Sequence, residues 1–286
     1  MPSQFPLISV NGVINASVSP LDRGFAYGDG LFETCLYRMG VVPLWEFHRQ
    51  RLLDACKLLM IPLDTARLET YITDILQQAQ HLGVSDGVVK VIVTRGCGGR
   101  GYAFPESVSP TICVIFFDAL PDDLQHIKLR VCKQRLSNNR VLAGLKHLNR
   151  LEQIMARAEW KNDYAEGLML DDEGGVIEAT ASNVFMVQDG QLFTPDLSFA
   201  GVAGIMRRVI IERLAPALNL AVTVKKIMPV ELQRADEMFI CNSIRGIVSV
   251  AALDGETPTR FSRHEITHSL RDQLAILLRD ISSEVD

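Results

Sequence analysis

The feature that most constrains this chain is a dense run of short alternating apolar stretches, separated by turn signals rather than by helices. In the second half, Gly167–Leu170, Val176–Thr180, Asn183–Val187 and Gln191–Phe193 read as strands. Turn residues at Asp172–Gly175 and Asp189-Gly190 lie between them. Hairpin-joined strands with few helices predict an α+β fold, not a doubly wound parallel sheet. Further strands are expected at Ala221–Val224 and Glu237–Cys241, and helices at Ile205–Leu214 and Ser262–Leu278.

The first half predicts strands at Phe5–Val10 and Leu31–Arg38, with a Met39-Gly40 turn and a return through Val41–Trp45. Amphipathic helices follow at Glu46–Met60 and Thr65–Leu82, separated by Pro62. Val88–Thr94, Thr111–Phe117 and Lys128–Lys133 read as more deeply buried strands. The polar stretch after Gln134 reads as a connection. The expected domains are therefore a smaller N-terminal one at 1–134, a linker at 135–145 and a larger one at 146–286. A helix is expected at Leu151–Lys161, opened by Asn149 and Glu152 in a capping-box spacing.

Composition narrows the function classes. With 286 residues, 48% hydrophobic and 22% charged, the chain can bury a large core and does not read as disordered. A net charge of -5 argues against nucleic acid and gives no attraction to an anionic membrane. Apolar runs such as Ile112–Phe117 are too short to span a bilayer, and the N-terminus does not read as a signal peptide. The six cysteines are scattered without a Cys-x-x-Cys pair, which predicts buried free thiols in a reducing cytoplasm. The histidines show no metal-site spacing, and no G-x-S-x-G elbow is present.

Four segments carry possible chemistry. Gly96-Cys97-Gly98-Gly99-Arg100-Gly101 matches the dinucleotide fingerprint, but Pro105 and Pro110 replace the helix that would hold a pyrophosphate. It reads instead as a glycine loop presenting Arg100 to an anionic ligand. Lys146 lies in an apolar stretch just before a helix start, a setting that disfavours the ammonium form, although many such lysines are merely solvated. Glu178 is mid-strand, where an acid usually faces solvent, yet the small residues after it would admit a flat ligand. Gly201-Val202-Ala203-Gly204 leads into a helix whose first N–H groups suit a phosphate, or is an ordinary glycine loop. A lysine, a strand carboxylate and a glycine-led helix start are together the parts needed to hold pyridoxal 5'-phosphate.

Over nearly its whole length the chain resembles the fold-type IV pyridoxal-phosphate enzymes, the class of branched-chain and D-amino-acid aminotransferases and aminodeoxychorismate lyases. The segments that carry the resemblance are Tyr27–Glu33, His48–Leu52, Lys146, Glu178–Phe185 and Gly204–Arg207. Thr94–Tyr102 and Lys146–Gln153 look like the lyases in particular. Aminotransferases of the class commonly carry a tyrosine where Arg150 stands here, which favours the lyase pattern.

The resemblance implies two domains with the cofactor between them, and usually a homodimer. It implies that Lys146 forms the Schiff base and that Glu178 faces the pyridine nitrogen. Arg51, Ile205, Met206 and Ser243 are implied as phosphate ligands, with Asn183 also at the cofactor. Periodicity alone does not separate Arg51 from Arg49; the motif makes that choice. The implied reaction converts 4-amino-4-deoxychorismate into 4-aminobenzoate and pyruvate, a step towards folate. Thr34 is the candidate proton donor, while Arg100, Tyr102, Arg245 and Tyr27 are candidate substrate contacts. The competing readings are a class IV aminotransferase acting on branched-chain or D-amino acids, and a non-catalytic anion or phosphate binder on the same fold.

Overall fold

The computed structural model describes residues 5–118, 120 and 123–283. Within them the chain forms two units, divided as residues 1–121 with 146–149, and 122–145 with 150–286. The dividing point lies earlier than the sequence reading placed it.

The first unit comprises β1 (Leu7–Val10), β2 (Val13–Ile14), α1 (Arg23–Tyr27), β3 (Gly30–Tyr37), α2 (Trp45–Leu58), α3 (Thr65–His81), β4 (Gly87–Thr94) and β5 (Thr111–Phe117). The strands pair antiparallel in the order β2-β1-β5-β4-β3. Alternation along β3 turns Glu33, Cys35 and Tyr37 inward, and Phe32, Thr34 and Leu36 to the half-buried face. Leu52, Ala55 and Cys56 of α2, with Leu68, Ile72 and Ile75 of α3, supply the buried helix stripes. Asp64 caps α3 by accepting the Arg67 N–H at 3.1 Å. The expected return strand at Val41–Trp45 does not form. One bridge joins Arg38 to Val41, and Trp45 already begins α2.

The second unit comprises β6 (Ile127–Leu136), α4 (Leu151–Arg157), β7 (Glu166–Asp171), β8 (Val176–Ala179), β9 (Asn183–Gln188), β10 (Gln191–Pro195) and α5 (Ile205–Val209). A π-helical turn at Ile210–Leu214 joins α5 to α6 (Ala215–Ala217). Then follow β11 (Val222–Lys225), α7 (Pro229–Leu232), β12 (Glu237–Asn242), β13 (Gly246–Asp254), β14 (Thr259–Arg260) and α8 (Glu265–Ser283). The sheet order is β11-β10-β9-β12-β13-β6-β7-β8, with β14 on β13. Strand β6 pairs parallel with both β13 and β7, which is why it belongs here rather than with the first sheet. The sequence reading missed β13, the strand that joins the two halves of this sheet. Residues of β7, β8, β9 and β12 are buried almost throughout, as expected of strands covered on both faces. Phe185 and Phe239 stack in the core at 5.0 Å. The buried Glu237 receives the Ile266 and Thr267 N–H groups at 2.9 Å each, and so caps the start of α8 from a neighbouring strand.

The anticipated capping box at Asn149 and Glu152 is absent. Arg150 is the N-cap of α4 and makes no side-chain cap bond. Asn149 instead donates to the Gly28 carbonyl at 3.2 Å, and Glu152 accepts from Ser137. Five cysteines are buried as expected, but Cys97 is exposed on its glycine loop.

Residues 146–149 close the outer edge of β3. Phe32 donates its N–H to the Lys146 carbonyl at 2.9 Å, Leu148 donates to Gly30 at 3.0 Å, and His147 bridges Leu31. A Cβ on Gly30 would lie 2.5 Å from the Val93 carbonyl oxygen and 2.9 Å from Leu148 Cδ1. Gly30→Val is therefore expected to cost about 1–3 kcal/mol of stability and to speed hydrogen exchange at the Leu148 amide. Unchanged exchange there would contradict this account of how the segment is seated.

Candidate active site

In the first unit, backbone pairing to β3 fixes the position of Lys146. Its ammonium lies 4.3 Å from the Phe32 ring centroid. Lys90, opposite Thr34 in the ladder, lies over the same ring at 5.4 Å. Thr34 thus shares a half-buried sheet face with Phe32 and two lysines.

On the opposite side of β3, Glu33 is buried against α2. Arg51 donates to it through Nε at 2.8 Å and Nη2 at 2.5 Å, and His48 Nδ1 approaches at 2.6 Å. Arg49 instead meets Glu46 and Glu69 near the surface. The structure therefore separates two arginines that helical periodicity did not. Burial alone would raise the Glu33 carboxyl, but the Arg51 charge and the hydrogen bonds from His48 and Arg51 bring it down to about 2. Burial holds His48 below its ordinary value, outweighing the attraction of Glu33.

Tyr27 and Tyr102 meet in this unit, with Arg100 on the same glycine loop as Tyr102. The Tyr27 hydroxyl accepts the Gly101 N–H at 3.3 Å, and the two tyrosine rings meet edge-on at 5.7 Å. Buried Arg23 holds the loop by donating to the Gly101 carbonyl at 3.0 Å. Gly96, at φ +84°, starts the loop where a Cβ would strike the Ser109 carbonyl. No helix follows, which agrees with the reading as a glycine loop. Arg100 and Tyr102 are exposed, Tyr102 by 85%.

In the second unit, Glu178 is 4% exposed, contrary to the general expectation for an acid in a strand. The cause is local. Its Oε2 accepts the Val202 N–H at 2.7 Å, and Gln153 donates towards Oε1 at 3.4 Å. Gly201 permits this approach, since a Cβ there would lie 3.2 Å from Glu178 Oε2. Gly204 is the N-cap of α5 and offers no side chain, so the first-turn N–H groups of Ile205 and Met206 are left for another acceptor. Asn183 fills the space behind Gly204 and donates to the Val202 carbonyl at 2.8 Å, bracing the loop.

A second buried acid, Glu166, supports the turn that carries Ser243 and Arg245. It accepts from the Ala181 N–H at 2.8 Å and the Ser182 hydroxyl at 2.6 Å. Asn242 donates to Ser182 at 3.0 Å, and its carbonyl oxygen receives the Ile244 and Arg245 N–H groups. Burial holds the Glu166 carboxyl above its ordinary range despite these bonds. The sequence reading missed Glu33, His48, Gln153, Glu166 and Asn242. Glu33 and His48 lie inside quoted motifs, but their partners are set by contacts between distant elements.

These groups supply an amine, a fixed carboxylate, an uncapped helix start and an arginine clamped on a buried acid. Their titration also affects folding. His48 protonates less readily in the native than in the unfolded state, so its contribution to stability is present above pH about 6.5 and is lost as pH falls. His264, held low by burial and by His126 and His268, acts with the same sign. Glu33 adds a loss between 4.5 and about 2. Raised Glu166 acts with the opposite sign from pH 7 to 5, so the His48 part is read by difference. The urea midpoint of the native protein is expected to fall more from pH 7 to 5 than that of His48→Gln, and equal profiles would contradict a buried neutral His48.

The family described as Amino-transferase class IV matches residues 30–253. Aminodeoxychorismate lyase of Vibrio harveyi is 35% identical over 272 residues, covering 93% of this chain and 98% of that protein. The crystal structure of 4-amino-4-deoxychorismate lyase from Pseudomonas aeruginosa aligns with a TM-score of 0.86 at 45% identity, over 94% of this chain and 98% of that one. D-alanine aminotransferase of Staphylococcus epidermidis is 25% identical, covering 85% of this chain and 86% of that protein. With the family match spanning most of its length, this chain belongs to the class IV aminotransferases.

Proposed function

We propose that this protein is a pyridoxal-phosphate-dependent lyase that converts 4-amino-4-deoxychorismate into 4-aminobenzoate and pyruvate for folate synthesis. The observation that carries the reading is the 45% identity to a lyase of that name across nearly the whole of both chains. Arg150 in place of the tyrosine common in the aminotransferases supports it.

The residues present fit the cofactor. The start of α5 has no side-chain cap, Glu178 is a buried acceptor, and Lys146 is an amine held by backbone pairing. Lys146 would hold the aldehyde carbon, Glu178 the pyridine nitrogen, and Arg51, Ser243 and the Ile205 and Met206 N–H groups the phosphate. Asn183 braces the phosphate loop. When bound, the cofactor supplies an electron sink that acidifies the carbon next to the substrate amine.

Lys146, with its amine free, would act as general base on the proton of the ring carbon bearing nitrogen. Loss of that proton and cleavage of the ether C–O bond leave an aromatic ring, so the product side is strongly downhill. The departing enolpyruvyl methylene must gain a proton, and this reading gives that role to Thr34, whose place on the half-buried face opposite Lys90 supports it. Arg100 and Arg245 suit the two substrate carboxylates because a guanidinium binds a planar carboxylate in a fork. Tyr27 and Tyr102 line the substrate beside Arg100. Working as a homodimer in the cytoplasm is part of this proposal. No described helix is long and apolar enough to cross a membrane.

The direct test gives the cofactor-loaded protein 4-amino-4-deoxychorismate with no keto acid and assays both products. Equal, catalytic amounts of 4-aminobenzoate and pyruvate are expected. If neither appears while D- or branched-chain amino acids bleach the cofactor band, the protein is an aminotransferase instead. An absence of any cofactor band would favour a non-catalytic anion binder. Lys146→Ala is expected to lower turnover by at least about a thousandfold and Thr34→Ala by about a hundredfold. Full activity in either variant would remove the corresponding role.

A further inference from the structure

We propose that Glu33 and His48 form a positioning clamp that fixes the plane of the Arg51 guanidinium for phosphate recognition. This rests on the reading of Arg51 as a phosphate ligand.

His48 and Arg51 are three residues apart on α2 and so share one helix face, directed at β3. Both reach one carboxylate. Nε and Nη2 of Arg51 make a parallel fork to the two oxygens of Glu33, at 2.8 and 2.5 Å. His48 Nδ1 meets Oε2 at 2.6 Å, so that oxygen is shared between the imidazole and the guanidinium. The side chains of Glu33 and His48 are each 1% exposed, and that of Arg51 13%.

A fork of this kind leaves the guanidinium little rotation, because turning it would break two charge-assisted bonds in a site with little water. The directions of its other N–H groups are then set before any ligand arrives, which lowers the ordering cost of binding. Neutral His48 donates its Nδ1 proton and so locks the carboxylate that holds the arginine. Its neutrality also keeps Glu33 and Arg51 balanced in charge. A buried ion pair is weak evidence for stability, since well-packed apolar residues often serve as well. Presenting a cation in a fixed orientation is a task that apolar residues cannot perform. Arg49, on the outer face of the same helix, has acidic partners near the surface and no such buried acceptor.

The test compares binding of pyridoxal 5'-phosphate and of pyridoxal to the cofactor-free protein, by absorbance titration or tryptophan quenching. The native protein should prefer the phosphorylated form. Glu33→Gln is expected to weaken pyridoxal 5'-phosphate by at least about tenfold while pyridoxal changes by less than about twofold. His48→Leu should show a smaller loss with the same selectivity, and His48→Gln, whose amide can still donate, should restore it. Equal weakening of both ligands, or no weakening, would overturn the clamp. If Glu33→Gln fails to unfold cooperatively, the His48 variants decide, and unchanged preference in His48→Leu overturns the proposal. Arg51→Gln separates the two claims. If that variant keeps the phosphate preference, the assignment of Arg51 fails and the clamp with it. If it loses the preference while the Glu33 and His48 variants keep theirs, the clamp alone fails.

Discussion

Backbone pairing along the outer edge of β3 is the interaction on which the first unit's chemistry depends. An edge strand leaves a row of N–H and C=O groups without partners. Here Lys146, His147 and Leu148 pair with that edge, so the ladder fixes the backbone from which the Lys146 side chain projects. Gly30 permits the close approach, and Asn149 secures the far end on the Gly28 carbonyl. The same strand turns Glu33 to its inner face and Thr34 to its outer one. One eight-residue strand therefore supports the lysine, the arginine clamp and the proposed proton donor.

The second unit solves a different problem, that of keeping acids buried in a sheet. Glu166, Glu178 and Glu237 are each at most 4% exposed, and each accepts at least one backbone N–H from a loop or helix start. Burying a carboxylate without partners would be very unfavourable. With partners, it becomes a rigid staple. Glu237 seats α8, Glu166 holds the 180–182 loop and through Asn242 the turn at 243–245, and Glu178 holds the 201–203 loop. Two of these staples thus shape the surroundings of the residues assigned to phosphate and carboxylate.

Much of this was legible in the chain. The α+β class, α3 to within a residue, the β4 and β5 strands and the hairpin from β9 to β10 follow from local periodicity and turn chemistry. The boundary after β5 was not, because β6 is a good strand in either sheet and only its parallel pairing with β7 and β13 assigns it. The start of α4 at Leu151 was legible, but its cap was not: an Asn-to-Glu spacing promised a capping box, and tertiary partners claimed both side chains. The burial of Glu178 lay outside local reach for the same reason. The residues that cover it come from the 201–203 loop and from Gln153 on α4, both far along the chain.

The sequence by itself determined the fold class and the glycine-led helix start, because each rests on residue type and short-range spacing, and it settled on Lys146 and Glu178 only through family resemblance. Tertiary structure decided which of two arginines on one helix meets a buried acid, which acids are buried, and which loops they staple. Those outcomes depend on partners brought together from distant elements, and local pattern carries no record of them.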